Sequence, residues 1–325
     1  MDVLLIDPPY KSLKGIGTEA GYTMGLVSLA AYLREHGFEA GVLTGDTLLD
    51  LQPSSPFTLD MAAYARGQAQ YRQILDDPDH EIWRRITRAV RELTPGLVGL
   101  SYLTPLQGAV ERTVAAVKAA EPALPVVLGG HHPTFCPEEC LGMEGVDYVV
   151  RGEGEVPLLA LARALLRGEG APDEAPGVTT LDDQGRARST AAPPLVPDLD
   201  ALPEPARDLV LRCDLSRYRT HYATSARGCP YHCTFCSDNQ LWGGKVRRRS
   251  VTSFVDELAR VGEEHRPTYV DIVDGTFTYS RRFMEQFCQQ MIERKLALLW
   301  RWICSVESRL STRSSTRWLP DSRPK

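Results

Sequence analysis

The sequence predicts an α/β protein in two parts, a doubly wound parallel sheet over residues 1–170 and a shorter α/β segment over 216–306. Three observations predict this class. Short apolar strands alternate with amphipathic helices in both parts, as in a parallel sheet covered on both faces. The strands of the first part end in loops rich in Gly, Pro or Ser, where open α/β sheets bind their ligands. Between the two parts the composition shifts to proline and acidic residues.

The first part contains five expected strands. Its first strand, VLLID, ends at Pro8-Pro9 because proline cannot continue a ladder of hydrogen bonds. Apolar side chains then recur at helical spacing, and Gly37 is a typical residue to end that helix. A long polar stretch rich in Gln, Tyr and Asp follows the second strand. The expected strands lie at 3–7, 40–46, 96–105, 125–133 and 147–155.

The rest of the chain is expected to contain a small hairpin, a proline-rich linker and a second α/β segment. Residues 171–215 hold the hairpin and the linker. Ser253 and Asp256 can form an approximate capping box for a helix. Residues 307–325 are rich in Ser and Arg, and their apolar residues follow neither helical nor strand spacing. This segment is predicted to be disordered. Strands of the second segment are expected at 221–225, 269–275 and 298–306.

Charge and hydropathy exclude several classes of protein. The formal net charge of −5 gives no global basic field for nucleic acid. The N-terminus lacks a cationic region, and no apolar run approaches the ~18 residues of a membrane span. A soluble, cytoplasmic protein with no membrane partner is therefore expected. In a reducing compartment, its 8 cysteines point to metal or redox chemistry rather than a disulfide framework.

The stretch TSARGCPYHCTFCSDN carries the strongest chemical signal. Its cysteines, Cys229, Cys233 and Cys236, are separated by three and then two residues. A structural zinc site needs four closed ligands, and neither His221 nor His232 stands at zinc-finger spacing. Unpaired or redox-active cysteines are the other plain alternative. A 4Fe–4S cluster fits the count better, because three thiolates can hold it and leave one iron open.

The run CPYHCTFC resembles the signature of the radical S-adenosylmethionine enzymes. That resemblance implies a 4Fe–4S cluster on the three cysteines, with S-adenosylmethionine bound at the open iron. It also implies that Phe235 and Asp274 lie beside S-adenosylmethionine, Asp274 because YVDIVDG resembles the second strand of that family. The alternative for Asp274 is an ordinary strand-end carboxylate.

Joined to such a segment, the first part resembles the cobalamin-binding, Rossmann-like domain of the cobalamin-dependent subfamily. The similarity rests on Ser101-Tyr102-Leu103 and Gly129-Gly130, and it implies that Ser101, Leu103, Gly129 and Gly130 contact cobalamin. No histidine follows Asp7 at the place of an axial ligand. The resemblance therefore implies cobalt without a histidine lower ligand.

Several polar residues of the first part have plainer explanations than catalysis. His131 and His132 could replace the missing axial ligand, but packing around the cobalamin tail is the simpler interpretation. Glu153 and Glu155 could form an acid–base pair, yet a carboxylate at a helix N-terminus is explained by the helix dipole alone.

The resemblance implies a methyltransferase that acts on an unactivated carbon or phosphorus centre of a small molecule. It would use a 5′-deoxyadenosyl radical and methylcobalamin, and an electron donor such as flavodoxin or ferredoxin. Two alternatives stay open: a related enzyme that cyclises or rearranges its substrate without methyl transfer, and a catalytically silent module that binds the cofactors.

The length of the second segment raises a separate question. Barrels of this family have six strand–helix units, whereas the sequence shows about three, so an incomplete barrel is expected. Such a barrel leaves a sheet edge unpaired. The hypothesis is that 307–325 is not native-family sequence, which the other reading frames of the DNA would test.

Overall fold

The structure, a computed structural model, describes residues 1–10, 22–48, 61–218, 220–298 and 300–302. The chain divides into two compact units. The first contains Met1–Val196 and Leu202–Tyr218, and the second contains Pro197–Ala201 and the described residues from 220 onward. Each unit encloses a hydrophobic core of its own.

The first unit is built on a seven-stranded sheet in the order β2-β1-β3-β4-β5-β6-β7. Neighbouring strands from β2 to β5 are parallel, and β6 and β7 add antiparallel at one edge. The strands are β1 Val3–Asp7, β2 Ala40–Thr44, β3 Leu97–Ser101, β4 Val126–Gly129, β5 Tyr148–Val150, β6 Val178–Leu181 and β7 Ala187–Ser189.

Helices cover both faces of this sheet, which confirms the doubly wound architecture. Leu4 and Ile6 pack in the core that α3 and α4 help to form, while Val3 and Leu5 on the opposite face of β1 are equally buried. The helices of this unit are α1 Met24–Glu35, α2 Met61–Asp76, α3 Glu81–Leu93, α4 Gln107–Ala120, α5 His131–Phe135, α6 Pro137–Leu141 and α7 Glu155–Arg167.

The polar stretch after β2 contains a helix that the sequence analysis did not identify. The helix α2 buries Tyr71 and Ile74, two of its few large apolar residues. Residues 49–60 of the same stretch lie outside the described residues. The sequence pattern did not predict this helix, because its apolar stripe is narrower than the stripe that a core-facing helix usually shows.

The structure divides residues 171–215 differently from the expected hairpin and separate linker. The hairpin exists as β6 and β7, but it extends the first sheet. The residues after Ala201 also belong to the first unit: Leu211 N donates to Val42 O at 2.8 Å, and Ala206 N donates to Val27 O at 3.0 Å. Proline makes such a segment extended, and its remaining amide groups still find partners on the sheet and helix beside it.

The second unit contains three parallel strands in the order β12-β11-β8. Its strands are β8 Thr220–Ala223, β9 Ala226–Arg227, β10 Arg247–Arg248, β11 Tyr269–Ile272 and β12 Trp300–Trp302, of which β9 and β10 form an antiparallel ribbon. Its helices are α8 Asp238–Trp242, α9 Val251–His265 and α10 Arg281–Glu293. Aromatic side chains from α9 and α10 fill the core, with the rings of Phe254 and Phe287 5.7 Å apart.

The start of α9 differs from the expected capping box. Ser250 is the N-cap, and its side chain accepts a hydrogen bond from Ser253 N. The helix therefore begins three residues earlier than the Ser253–Asp256 pair indicates. The expected strand at 298–306 is described only as Trp300–Trp302, and 303–325, including the expected disordered tail, lies outside the described residues. No helix among the described residues is both long and apolar enough to cross a bilayer.

Candidate functional site

The three cysteines lie between the ribbon strand β9 and the short helix α8, just beyond the carboxyl end of β8. The strand β11 runs parallel to β8, so its own carboxyl end lies at the same edge of the sheet. This edge is where parallel α/β proteins place their chemistry. The loop after β11, with Asp274, Gly275 and Thr276, is thereby brought beside the cysteine loop.

Gly228 fixes the direction of the cysteine loop. Its φ of +91° lies in the region that favours glycine, and a Cβ at this position would stand 2.1 Å from Lys245 O. The pairing of Ala226 with Arg248 holds the same turn from the other side. Gly275 packs closely against the cysteine loop, since a Cβ there would stand 3.1 Å from Asp238 Oδ2 and 3.4 Å from Cys229 Cβ.

The three thiols present themselves differently. Cys229 is half-buried, and its Sγ lies 3.3 Å from Thr276 Oγ1, while Cys233 and Cys236 are exposed. A turn joins the latter two, with Cys236 N donating to Cys233 O at 3.1 Å. None of the three forms a disulfide, so their donor set of three available sulfurs fits an iron–sulfur cluster.

Asp274 holds the strand that leads into this loop. Its Oδ1 accepts hydrogen bonds from Ser225 N at 2.8 Å and Ala226 N at 3.1 Å, and its Oδ2 accepts one from Ser225 Oγ. Burial raises the pKa of the Asp274 carboxyl, while the hydrogen bonds and the charge of Arg248 act in the opposite direction. These contacts make Asp274 a positioning group, and its contact with S-adenosylmethionine stays a prediction.

Arg248 is a second positioning residue, which the sequence analysis did not identify. Its guanidinium donates to Thr276 O at 3.3 Å and Phe277 O at 3.0 Å, and approaches Ser225 Oγ at 3.4 Å. It therefore ties the ribbon to the loop after β11. The sequence signal was weak, because Arg248 is the middle of three arginines and nothing distinguishes it from its neighbours.

The remaining predicted residues of the second unit lie at or near the loop. Phe235 is 90% exposed, so its ring is available to a ligand, and its predicted contact with S-adenosylmethionine remains untested. His221 is fully buried and stacks on His265 with ring centroids 4.4 Å apart. The burial of His221 removes it from the candidates for a fourth ligand on an exposed loop.

In the first unit the structure brings the two predicted cobalamin motifs together. Ser101 at the end of β3 pairs in register with Gly129 at the end of β4, and Leu103 is 45% exposed just beyond them. Gly130 has a φ of +110°, and a Cβ there would stand 3.0 Å from Tyr102 O. The glycine is thus required by a neighbouring loop of the protein itself, whereas contact of all four residues with cobalamin stays a prediction.

Three other candidates of the first unit, Glu153, Glu155 and His132, are buried. Glu153 is buried and accepts a hydrogen bond from Val196 N at 2.5 Å. Glu155 is buried and is the first residue of α7, where a carboxylate interacts favourably with the helix dipole. His132 is also buried, with its Nδ1 2.9 Å from Thr104 Oγ1.

Comparison with known proteins relates the first unit to a known domain family. Residues 18–162 match the B12 binding domain family. The chain is 30% identical over 224 residues to the anaerobic magnesium-protoporphyrin IX monomethyl ester cyclase of Rubrivivax gelatinosus, which covers 66% of this chain and 40% of that protein. It is 27% identical over 311 residues to the cytidylyl-2-hydroxyethylphosphonate methyltransferase of Streptomyces wedmorensis, covering 85% and 55% of the two chains.

A solved structure shares the fold of nearly the whole chain. The radical S-adenosylmethionine methyltransferase TsrM of Kitasatospora setae, solved with cobalamin and a [4Fe-4S] cluster bound, superposes with a TM-score of 0.64 at 20% sequence identity. The match covers 91% of this chain and 52% of TsrM. The chain therefore spans about half the length of the proteins to which it is similar.

Proposed function

The chain carries a B12-binding domain and has the fold of the cobalamin-dependent radical S-adenosylmethionine enzymes, and on that premise we propose that it is a methyltransferase. Its substrate is a small molecule with an unactivated carbon or a phosphorus centre to be methylated. Methylation is favoured over other reactions because one relative is a phosphonate methyltransferase aligned over 85% of this chain.

One observation carries the proposal: a glycine-directed loop at the carboxyl edge of a parallel sheet presents three free thiols, two of them exposed. Cys229, Cys233 and Cys236 would hold a 4Fe–4S cluster with one iron open. When bound, the cluster and cobalamin supply the radical and the methyl group that protein side chains cannot generate.

The side chains of this protein would position the cysteine loop and provide surfaces against which the cofactors and substrate pack. Asp274 holds the backbone that leads into the cysteine loop through a buried hydrogen bond, and Arg248, which follows the cysteine loop, is tied to the loop after β11. Phe235 offers an exposed ring on which an adenine or a substrate can pack. In the first unit, Leu103 and Ser101 stand at the edge of the sheet where cobalamin would bind.

The test is anaerobic reconstitution of the full chain with iron and sulfide. About four irons per chain and a charge-transfer spectrum are expected. Cys233→Ala should abolish both, and Cys213→Ser, which alters a cysteine outside the loop, should abolish neither. Iron retained by Cys233→Ala, or no iron bound by the unaltered chain, would overturn the cluster assignment.

Methyl transfer has its own readout. With S-adenosylmethionine labelled in its methyl group and reduced cobalamin bound, label is expected in the cobalamin fraction even without substrate. Release of 5′-deoxyadenosine under reduction reports radical formation. The absence of both products from cluster-loaded protein would support the silent module, in which the chain only binds its cofactors.

A cyclase is the second candidate, because the chain is 30% identical over 224 residues to an anaerobic cyclase. A cyclase of this class would release 5′-deoxyadenosine without placing label on cobalamin. The proposed setting for either enzyme is the cytoplasm, with flavodoxin or ferredoxin as electron donor. The electron donor is tested by replacing the chemical reductant dithionite with a purified flavodoxin system in the same assay.

A further inference from the structure

Three side chains that follow β4 in the first unit converge on one point. His132 lies in α5, Cys136 joins α5 to α6, and Glu139 lies in α6. Their ligand atoms, an imidazole nitrogen, a thiol sulfur and a carboxylate oxygen, all lie within 4.8 Å of one another. The group belongs to the first unit, whereas the cysteine loop belongs to the second.

His132 is held as a metal-binding histidine is held. Its ring is 7% exposed and packs against Tyr102 with ring centroids 4.3 Å apart. Nδ1 lies 2.9 Å from Thr104 Oγ1, which fixes the orientation of the ring. Nε2 is buried and makes no hydrogen bond within the described residues. Metal-ligating histidines characteristically use one ring nitrogen for such an orienting contact and the other for the ion.

The distance from His132 to Glu139 fits a shared ion better than a direct bond. Nε2 and Glu139 Oε1 are 3.6 Å apart, which is too long for a hydrogen bond. Two ligands about 2.1 Å from a tetrahedral zinc are separated by roughly 3.4 Å. A small rearrangement of the glutamate, whose side chain is 58% exposed, would complete the geometry.

The neighbouring cysteine, Cys140, does not belong to this group of possible ligands. Cys140 is 1% exposed and packs in the core, so its sulfur is not part of the group. Cys136 is only partly buried and faces the histidine and the glutamate. One sulfur, one nitrogen and one oxygen are thus available at this point.

We propose that His132, Cys136 and Glu139 bind a zinc ion, with the fourth position open to water or to an exogenous donor. A mixed set of nitrogen, sulfur and oxygen ligands is one that zinc accepts readily, and three protein ligands leave an exchangeable position. The site lies directly after Gly129 and Gly130, so an ion there would rigidify the turn that the cobalamin motif uses.

The test uses the full chain carrying Cys229→Ala, Cys233→Ala and Cys236→Ala, which removes the competing thiolates. Titration with Co²⁺ as a spectroscopic probe is expected to give one ion per chain and a near-ultraviolet thiolate-to-cobalt band, and Zn²⁺ should displace it. Adding Cys136→Ser should remove that band, and adding Glu139→Gln should weaken Zn²⁺ binding about 10-fold or more.

The matched control is Cys213→Ser, which alters a partly exposed cysteine elsewhere in the same unit and should change neither band nor affinity. A thiolate band that persists after Cys136→Ser would overturn the proposal, as would Zn²⁺ affinity unchanged by Glu139→Gln. Glu139 is on the surface, so its replacement does not put folding at risk. Because the cluster cysteines are absent, this test and the iron test of the proposed function fail independently.

Discussion

At the scale of single residues, Asp274 shows how a buried carboxylate can position a loop by accepting hydrogen bonds from its backbone. It is 4% exposed and accepts hydrogen bonds from Ser225 and Ala226 at the end of β8. The sequence alone indicated a strand-end carboxylate near a cofactor. Only the packing of β8 beside β11 shows that the carboxylate meets the backbone of the first strand.

Removing this carboxylate is expected to destabilise the protein. Asp274→Ala leaves the Ser225 and Ala226 N–H donors buried without their acceptor, so the free energy of unfolding should fall by about 1–3 kcal/mol for each donor. Urea denaturation followed by tryptophan fluorescence measures it. Asp256→Asn, which alters an exposed ion pair with Arg294, should lower it by less than about 1 kcal/mol. Equal losses in both variants would contradict this role.

Thr276 can adjust the cluster electronically. Its hydroxyl donates to Gly275 O at 2.7 Å and lies 3.3 Å from Cys229 Sγ. A cluster-bound thiolate at Cys229 can only accept, so the hydroxyl would turn to donate to it, and hydrogen bonds to cluster sulfurs raise the reduction potential. Thr276→Val should therefore lower the midpoint potential of the reconstituted cluster, measured by redox titration with electron paramagnetic resonance. Thr276→Ser keeps the hydroxyl and should preserve the potential. An unchanged potential in the valine variant would exclude the hydrogen bond.

The cysteines should differ in reactivity. Burial raises the pKa of Cys140 to about 12, so at pH 8 only about one molecule in ten thousand carries the thiolate. Raising the pH to 9 stays well below this pKa and should leave Cys140 unlabelled by iodoacetamide. Cys233 and Cys236 are exposed and should be alkylated in the cluster-free chain. Mass spectrometry of the digested protein measures the alkylated fraction of each cysteine. Labelling of Cys140 to the same extent as Cys233 and Cys236 would contradict its burial.

At the scale of elements, the glycine before the first cysteine determines the path of the loop. Gly228 has a positive φ, and a Cβ at this position would lie 2.1 Å from Lys245 O. Both the backbone conformation and the lack of space therefore require glycine here. Gly168, which follows α7, has a positive φ of +67° but nothing within 4 Å of a Cβ. Substitution of Gly168 therefore tests the effect of backbone strain alone, whereas substitution of Gly228 adds a steric clash.

Gly228→Ala is expected to reduce the iron content of the reconstituted protein severely, because the loop must move away from Lys245. Gly168→Ala carries only the left-handed penalty of about 1–2 kcal/mol and should retain full iron content. Iron analysis of both purified variants makes the comparison. If Gly228→Ala bound as much iron as the unaltered chain, the loop geometry described here would not be needed for the cluster.

At the scale of the whole molecule, the two units have separate sheets and separate cores. The residues matched to the B12 binding domain, 18–162, all fall in the first unit, and the three cluster cysteines fall in the second. The two proposed cofactor sites therefore rest on different folding units, and each is expected to tolerate loss of the other.

Replacing Cys229, Cys233 and Cys236 by alanine should remove iron and leave cobalamin binding intact. Conversely, Gly130→Ala should weaken cobalamin binding and spare the iron content, because a Cβ there would press on Tyr102 O at 3.0 Å. Absorbance of cobalamin and iron after gel filtration reports both. Loss of both cofactors from either variant would show that the sites depend on one another.

The sequence by itself determined the fold class and the position of most strands, and it located the cysteine loop, because strand alternation and cysteine spacing are local properties of the chain. It missed α2, whose apolar stripe is sparse, and it placed the cap of α9 at Ser253 where Ser250 forms it. It also treated residues 171–215 as a separate segment, whereas β6, β7 and the residues near Val210 join the first unit.

Tertiary structure alone decided which distant residues meet. Asp274 reaches Ser225 across 49 positions, and Thr276 reaches Cys229 across 47, because parallel pairing of β8 with β11 aligns their carboxyl ends. His132, Cys136 and Glu139 are close in sequence, yet burial of the histidine against Tyr102 is what leaves one ring nitrogen buried with no hydrogen-bond partner among the described residues. Spacing along the chain can indicate a ligand set, and only packing fixes the direction of each donor and its distance from water.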